Sequence, residues 1–311
     1  MQPSWLIFFF LSFLGFLSLS KLIFTLLKWV FTTFLRPPKT LTNYGSWAIV
    51  TGATDGIGKA FAFQLAQKGL NLILVSRNLT KLKGVSDEIS SEHPATLIKI
   101  FRVDFSGDDV AAGVREMKEV IECEGLDVGV LVNNVGVTYP LARYFHEVEE
   151  EVWMRVMKVN VEGTSLVTKS VIGRMVERKK GAIVNIGSGA AIVVPSHPLY
   201  AIYAASKAYV DQFSRSLYVE YKSLGIDVQC QVPLYVSTNM TSQVAHVEKS
   251  SLFIPTADQY VKAAIRQIGY ESRCTPYWAH SIQWFFASLA PDSLLDEWRL
   301  SIGIQRRRRL A

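Results

Sequence analysis

Tyr203 and Lys207, in the run Tyr203-Ala204-Ala205-Ser206-Lys207, are the residues of this chain best suited to moving a proton. Four positions apart on a helix, they share one face and stand about one turn from each other. A free phenol has a pKa of about 10 and is a poor proton carrier at neutral pH. A fixed ammonium beside it favours the phenolate, and a shift of roughly 2–3 units, worth about 3–4 kcal/mol, makes Tyr203 a usable general acid or base. The spacing alone is common on helix faces. A glycine-rich turn about 150 residues earlier gives it meaning.

That turn is Thr51-Gly52-Ala53-Thr54-Asp55-Gly56-Ile57-Gly58. Ser46 to Thr51 ahead of it is short, apolar and β-branched, which predicts a buried strand. Lys59 to Lys68 behind it predicts a helix closed by Gly69. Strand, glycine turn and helix form the setting in which main-chain N–H groups and a helix N-terminus hold a pyrophosphate. Gly52, Thr54, Asp55, Gly56, Ile57 and Gly58 are the candidate cradle. The spacing is G-x-x-x-G-x-G, not G-x-G-x-x-G, and alone it is equally a tight connection.

Together these elements resemble the short-chain dehydrogenase/reductase family, and further stretches agree. Asn133-Asn134-Val135-Gly136 follows the strand Val128–Val132 where the family usually has N-N-A-G. Asn160 lies on the next helix, and Ser188 follows the strand Ala182–Ile186, fifteen residues before Tyr203. Pro233-Leu234-Tyr235-Val236-Ser237-Thr238 matches P-G-x-x-x-T with Leu in place of Gly. The resemblance covers about residues 45–240 and implies an α/β fold, a Rossmann-type doubly wound parallel sheet.

It also implies roles. Ser188 would donate a hydrogen bond to a substrate carbonyl. Tyr203 would deliver the proton, and Lys207 would lower its pKa and bond the nicotinamide ribose. Asn160 would hold a water linking Lys207 to solvent. Asp104 would contact the adenine, Thr238 the carboxamide, and Asn133 the cofactor. Two departures bear on efficiency. Val135 adds two methyls beside the expected ribose, and the Ser188–Tyr203 interval is two residues longer than the commonest spacing. The latter is absorbed by a loop at Ser196-His197-Pro198.

The second strand selects the cofactor. NAD binders of this topology usually carry an acid near its end for the ribose hydroxyls. Here the strand ends Val75-Ser76-Arg77-Asn78, and Arg77 would attract a 2′-phosphate through charge-assisted bonds. NADPH is the expected cofactor.

The rest of the chain adds context. Across 311 residues, strands and helices alternate up to about Met240, including a helix from Asn78 to Glu92 and a long one from Glu149 to Arg178 that carries Asn160. Three widely spaced cysteines and five scattered histidines suggest neither a disulfide framework nor a metal site. Net charge is +6, yet residues 1–20 carry no charged side chain and Arg306-Arg307-Arg308-Arg309 falls in the last segment. With a greasy N-terminus, membrane headgroups suit that tail better than nucleic acid. Trp5 to Leu35 is apolar apart from Lys21 and Lys28, long enough for one span or for a hairpin, and lacks a signal peptide's basic start. Lys28, Arg36 and Lys39 on its C-terminal flank place the following domain in the cytosol. The expected organisation is a membrane anchor over 1–36, an NADP-binding catalytic domain over 45–240, and a substrate lid with C-terminal helices and a basic tail over 241–311. Thr241 to Pro255 reads as a loop, and Trp284, Phe285 and Phe286 as a greasy patch packed on the core or lying in the membrane surface.

Within the family, the sequence is most similar to the plant very-long-chain 3-oxoacyl-CoA reductases of the microsomal elongase. Asp227-Val228-Gln229-Cys230-Gln231-Val232-Pro233-Leu234-Tyr235 and Cys274-Thr275-Pro276-Tyr277-Trp278 are among the stretches that carry this. That resemblance implies an acyl-CoA or other lipid substrate, the bilayer and elongase subunits as partners, and an endoplasmic reticulum address. A 17β-hydroxysteroid or other lipid-ketone dehydrogenase, or a paralogue that only binds elongase subunits, are the alternatives.

Overall fold

Every side chain of β1 (Trp47–Thr51) is buried, as its unbroken β-branched and apolar run requires of a strand covered on both faces. The computed structural model describes residues 3–245 and 249–308; His246 and Arg309 lie outside the described residues. From Lys39 onward the chain forms one unit. Its seven-stranded sheet has the order β3-β2-β1-β4-β5-β6-β7, every neighbouring pair parallel. The other strands are β2 (Asn71–Ser76), β3 (Ile98–Arg102), β4 (Val128–Asn133), β5 (Gly181–Ile186), β6 (Ile226–Gln231) and β7 (Arg273–Cys274). Strand order reverses between β1 and β4, so the carboxyl ends of those two strands flank the crevice where such sheets bind ligands. β7 is too short to have left a periodic signal.

Two apolar layers cover the sheet. On one face Phe61, Leu65, Leu82, Ile89, Tyr260 and Ile265 pack on Ala48, Val50, Leu72 and Leu74. On the other, Val114, Met117, Val167, Val171 and Met175 pack on Ile49, Ile73, Leu131 and Ile183. The alternation of Ala48/Val50 against Ile49 is the period of two that sends successive strand residues to opposite faces.

Helix boundaries follow local chemistry. Asp55 caps Gly56–Gln67 by accepting from the Gly56 N–H, and Asn78 caps Leu79–Glu92 by accepting from Lys81. Thr256 and Gln259 form a reciprocal capping box on Ala257–Arg266. The helix expected over 149–178 is interrupted. Glu150–Met157 and Thr164–Arg178 are joined by a π-helical turn, Lys158–Gly163, that contains Asn160. The expected loop after Met240 begins as a helix, Asn239–Ala245. Of the basic tail expected to meet membrane headgroups, Arg306 and Arg307 lie in the helix Asp292–Arg308 and contact the body of the protein instead.

Residues Met1–Pro38 form a separate unit. Pro3–Val30 is one continuous α-helix extended by a π-helical turn, Phe31–Leu35, so no hairpin reversal occurs among the described residues. Its apolar segment Trp5–Leu35 spans 31 residues, about 45 Å of helix against the roughly 30 Å bilayer core. Trp5, Phe10, Phe16 and Phe24 all expose more than half of their surface. The helix is long and apolar enough to cross a membrane.

Candidate active site

The carboxyl ends of β1 and β4 are locked together by two side chains. The Thr51 hydroxyl oxygen accepts from the main-chain N–H groups of Asn134 (3.0 Å) and Val135 (3.1 Å). Asn134 returns bonds from Nδ2 to the carbonyls of Thr51 and Gly52. Gly52 and Gly56 occupy left-handed conformations with φ of 64° and 52°, which glycine adopts without strain. At Gly58 the need is for space: a Cβ there would lie 2.2 Å from the Gly52 carbonyl oxygen. The Gly56–Gln67 helix thereby aims its first turn at the crevice. Helix geometry leaves the Ile57 and Gly58 N–H groups without intrahelical partners, as an anion site requires. Thr54 Oγ1 bonds Ser76 Oγ at 3.1 Å, tying the turn to the end of β2. Asp55 is otherwise engaged: its carboxylate accepts from Gly56 N–H and from Asn239 Nδ2.

At the β2 and β3 ends, Arg77 is exposed immediately beyond Ser76. Asp104 stands nearby, its carboxyl held below the usual range by hydrogen bonds from Ser106, with smaller pulls from Arg77 and Arg102. Arg102, the last residue of β3, is a second cation here that the sequence pattern did not single out. Asn133 departs from expectation. Its Nδ2 donates to Thr168 Oγ1 and Asn185 Oδ1 in the buried interior, so the side chain has no donor left for a cofactor. Val135 also departs, since its side chain packs against the core layer that includes Val159 and Val167.

Ser188 follows β5 and caps the short helix Gly189–Ile192, accepting from the Ala190 N–H at 3.1 Å. Tyr203 and Lys207 lie one turn apart on Ala201–Tyr221. Ser188 and Tyr203 meet, while Lys207 reaches the main chain two residues before Ser188. Burial pushes the Tyr203 phenol up, a hydrogen bond from Ser188 pulls it down, and the neighbouring Tyr235 phenol opposes its ionisation. Lys207 contributes no lowering pull here. Its Nζ donates to the Ile186 carbonyl at 2.8 Å, and burial takes its own pKa down to about 8.

Asn160 is engaged on every donor. Its Oδ1 accepts from Val137 N–H, and its Nδ2 donates to Val137 carbonyl and to Ser206 Oγ, all at 2.8–2.9 Å. No side-chain donor remains to hold a water. Asn160 clamps the strand after β4 to the helix of Tyr203, and the π-helical turn is what carries it inward. Gly136 fits between Asn160 and Lys207: a Cβ there would lie 3.3 Å from Nζ and 3.4 Å from Oδ1.

Leu234, where the family pattern has Gly, is accommodated by Gly189, whose Cβ would lie 3.2 Å from Leu234 Cγ. Fully buried His280 accepts the Leu234 N–H on Nδ1 at 3.3 Å and bonds the Tyr235 carbonyl through Nε2 at 3.1 Å. Burial takes its pKa down to about 4, so at neutral pH it is the uncharged tautomer with hydrogen on Nε2. Thr238, next along this segment, shares a 3.1 Å hydroxyl bond with Thr241 and touches the glycine turn, since a Cβ on Gly56 would meet its methyl at 3.0 Å. The longer Ser188–Tyr203 interval is held by the C-terminal helix. Asp296 accepts from Ser196, Arg299 contacts the His197 ring, and Gly303 makes room for Leu199. Burial of Arg299 and His280 leaves no trace in local residue pattern, which is why sequence reasoning missed both.

A surface cleft of about 480 Å³ near Leu126, Val128 and Arg178 lies at the opposite, amino-terminal edge of the strands, away from these groups.

A short chain dehydrogenase family model matches residues 46–249. The chain belongs to the short-chain dehydrogenase/reductase family. It is 60% identical to a very-long-chain 3-oxoacyl-CoA reductase-like protein of Arabidopsis thaliana, over 96% of this chain and 94% of that protein. It is 44% identical to human inactive hydroxysteroid dehydrogenase-like protein 1, over 82% and 75% of the two chains. A rat very-long-chain 3-oxoacyl-CoA reductase is 40% identical over 79% and 76%. Among solved structures, a short-chain dehydrogenase from Sphingobium yanoikuyae in complex with NADPH superimposes with a TM-score of 0.62 at 26% identity, over 71% of this chain and 83% of that one.

Proposed function

We propose that this member of the family is an NADPH-dependent reductase of very-long-chain 3-oxoacyl-CoA, giving the 3-hydroxyacyl-CoA. The observation that carries the reading is the bond between Ser188 and Tyr203 at the carboxyl end of β5, with Lys207 one helical turn on and bonded to the end of that strand, in a chain whose glycine turn suits a dinucleotide. The donor set fits that cofactor: main-chain N–H groups of the first helical turn for the pyrophosphate, and Arg77 with Arg102 for a 2′-phosphate.

NADPH, when bound, supplies the hydride. Tyr203 supplies the proton. Burial keeps its phenol protonated at neutral pH, which suits reduction, where the ketone oxygen must gain a proton. The Ser188 oxygen accepts from Ala190 and its hydrogen is directed at the Tyr203 phenol, so a ketone oxygen placed beside that phenol would receive the Ser188 hydrogen as well. The Lys207 ammonium, bonded to the Ile186 carbonyl, keeps two further N–H donors and would hold a ribose. Asn160 acts by positioning. The intact set argues against a merely binding paralogue, although several mammalian relatives are named inactive.

The Trp5–Leu35 helix would anchor the enzyme in the endoplasmic reticulum membrane, its basic flank keeping the reductase on the cytosolic side near other elongase subunits. Purified membranes offered NADPH with a long-chain 3-oxoacyl-CoA or with a 17-ketosteroid test the reading. Preferential oxidation of NADPH with the thioester is expected, and preference for the steroid would replace this reading with the hydroxysteroid one.

Arg77→Asp tests the cofactor. A carboxylate repels a 2′-phosphate and accepts a ribose hydroxyl, so the NADPH/NADH ratio of kcat/KM should fall by about tenfold or more. An unchanged ratio would assign phosphate reading elsewhere.

A further inference from the structure

The C-terminal helix Asp292–Arg308 brings two cations to the site that the mechanism above leaves without a task. Arg306 donates from Nη2 to the Tyr235 hydroxyl at 2.7 Å and also bonds Tyr200. Arg299 is only 7% exposed, rests an Nη against the His197 ring, and its Nε has no hydrogen-bond partner. Neither guanidinium has a carboxylate partner among the described residues. The acids at hand are taken: Glu147 pairs with Arg307, and Asp296 accepts from Ser196. Cations without a counter-charge, Arg299 buried and Arg306 half-buried, draw electron density from an oxygen that they bond.

Here that oxygen is the Tyr235 phenol. Because it accepts from Arg306, its own hydrogen is left to donate elsewhere, and the cation behind it makes that hydrogen a stronger donor. No described residue accepts it. Tyr235 is also held in place from its main chain, since His280 bonds both its carbonyl and the preceding Leu234 N–H. Its segment runs beside Ser188, since the Gly189 N–H donates to the Pro233 carbonyl at 2.9 Å; Arg306 bonds both the Tyr235 phenol and Tyr200, and the Tyr235 phenol opposes ionisation of Tyr203. The site therefore presents a supported donor beside the pair formed by Tyr203 and Ser188.

We infer that Tyr235, backed by Arg306 and Arg299, is a specificity-determining donor that binds the thioester carbonyl of a 3-oxoacyl substrate while Tyr203 and Ser188 address the ketone. This rests on the 3-oxoacyl reading above and sharpens it. A substrate with carbonyls at C1 and C3 satisfies both sets of donors at once. An isolated ketone leaves the Tyr235 hydrogen unpaired in a partly dry site, and sites of this kind discriminate strongly against ligands that lack the partner group.

The test compares a long-chain 3-oxoacyl-CoA with its thioether analogue, in which the C1 carbonyl is a methylene, in the full-length protein and in Tyr235→Phe. The readouts are kcat/KM for each and the Ki of the thioether against the thioester. Substitution should lower the thioester/thioether ratio of kcat/KM by at least about tenfold, chiefly by weakening the thioester. Arg306→Gln, which keeps the phenol, should shift the ratio the same way by less, and it carries the test if Tyr235→Phe fails to fold. A purely structural role would depress both substrates equally and leave the ratio and the relative Ki unmoved, which would overturn the inference. Failure of the parent protein to reduce the thioester at all would instead remove the 3-oxoacyl reading on which it rests.

Discussion

Tyr203→Phe should lower kcat for ketone reduction by about a thousandfold while NADPH affinity stays within about threefold of the parent. The ring keeps its place on Ala201–Tyr221, so the helix and the contacts around it survive. What is lost is the hydroxyl that bonds Ser188 and that burial keeps protonated at neutral pH. Ser188 retains a hydrogen to offer the ketone oxygen, but a serine hydroxyl is far too weak an acid to give that hydrogen up. The residual rate therefore reports polarisation and binding without proton delivery. Stopped-flow NADPH oxidation and a fluorescence titration of NADPH separate the two effects. Activity within tenfold of the parent would remove Tyr203 from the role of acid.

Gly58→Ala should abolish NADPH binding at accessible concentrations and destabilise the fold by about 3 kcal/mol or more. The added methyl would sit 2.2 Å from the Gly52 carbonyl oxygen and 2.3 Å from Asn134 Nδ2. Neither neighbour can yield. Gly52 donates its N–H to the Val75 carbonyl at 2.8 Å, and Asn134 bridges back to the end of β1. The helix must move off the glycine turn, which removes the anion site with it. Gly84→Ala, at an exposed helix position with nothing within 4 Å of the new methyl, is the control and should stabilise by up to about 1 kcal/mol. Denaturant melts and NADPH titrations of both variants give the comparison. Parent-like stability and affinity in Gly58→Ala would mean that the close approach is not needed.

Much of this was legible in the residues because the signals were local. The apolar run into Gly52, the Asn78 cap and the four-residue step from Tyr203 to Lys207 are each decided by neighbours in sequence. The parts that escaped depend on contacts far apart along the chain. A helix over 149–178 fits the pattern, yet Asn160 finds partners on Val137 and Ser206 that a π-helical turn serves better. Asn133 looked like a cofactor ligand from its motif, but both N–H donors of its amide go to Thr168 and Asn185 in the buried interior. The C-terminal arginines looked like a basic tail for membrane headgroups, because nothing nearby in sequence shows that Tyr235 and Glu147 await them. The electrostatic expectation for Tyr203 failed for a similar reason: burial by packing from distant parts of the chain pushes its phenol up, and Lys207 is directed to the Ile186 carbonyl.

Hydride and proton delivery to the ketone of a 3-oxoacyl-CoA is the central claim, and isotope transfer tests it most directly. Purified protein would be given NADPH deuterated at the transferred position of the nicotinamide, together with a long-chain 3-oxoacyl-CoA. The 3-hydroxyacyl-CoA should then appear with one deuterium on C3 for each NADPH consumed, and its formation should fall to background in Tyr203→Phe. NADPH consumption no faster than in that variant, or a product without deuterium on C3, would contradict the account.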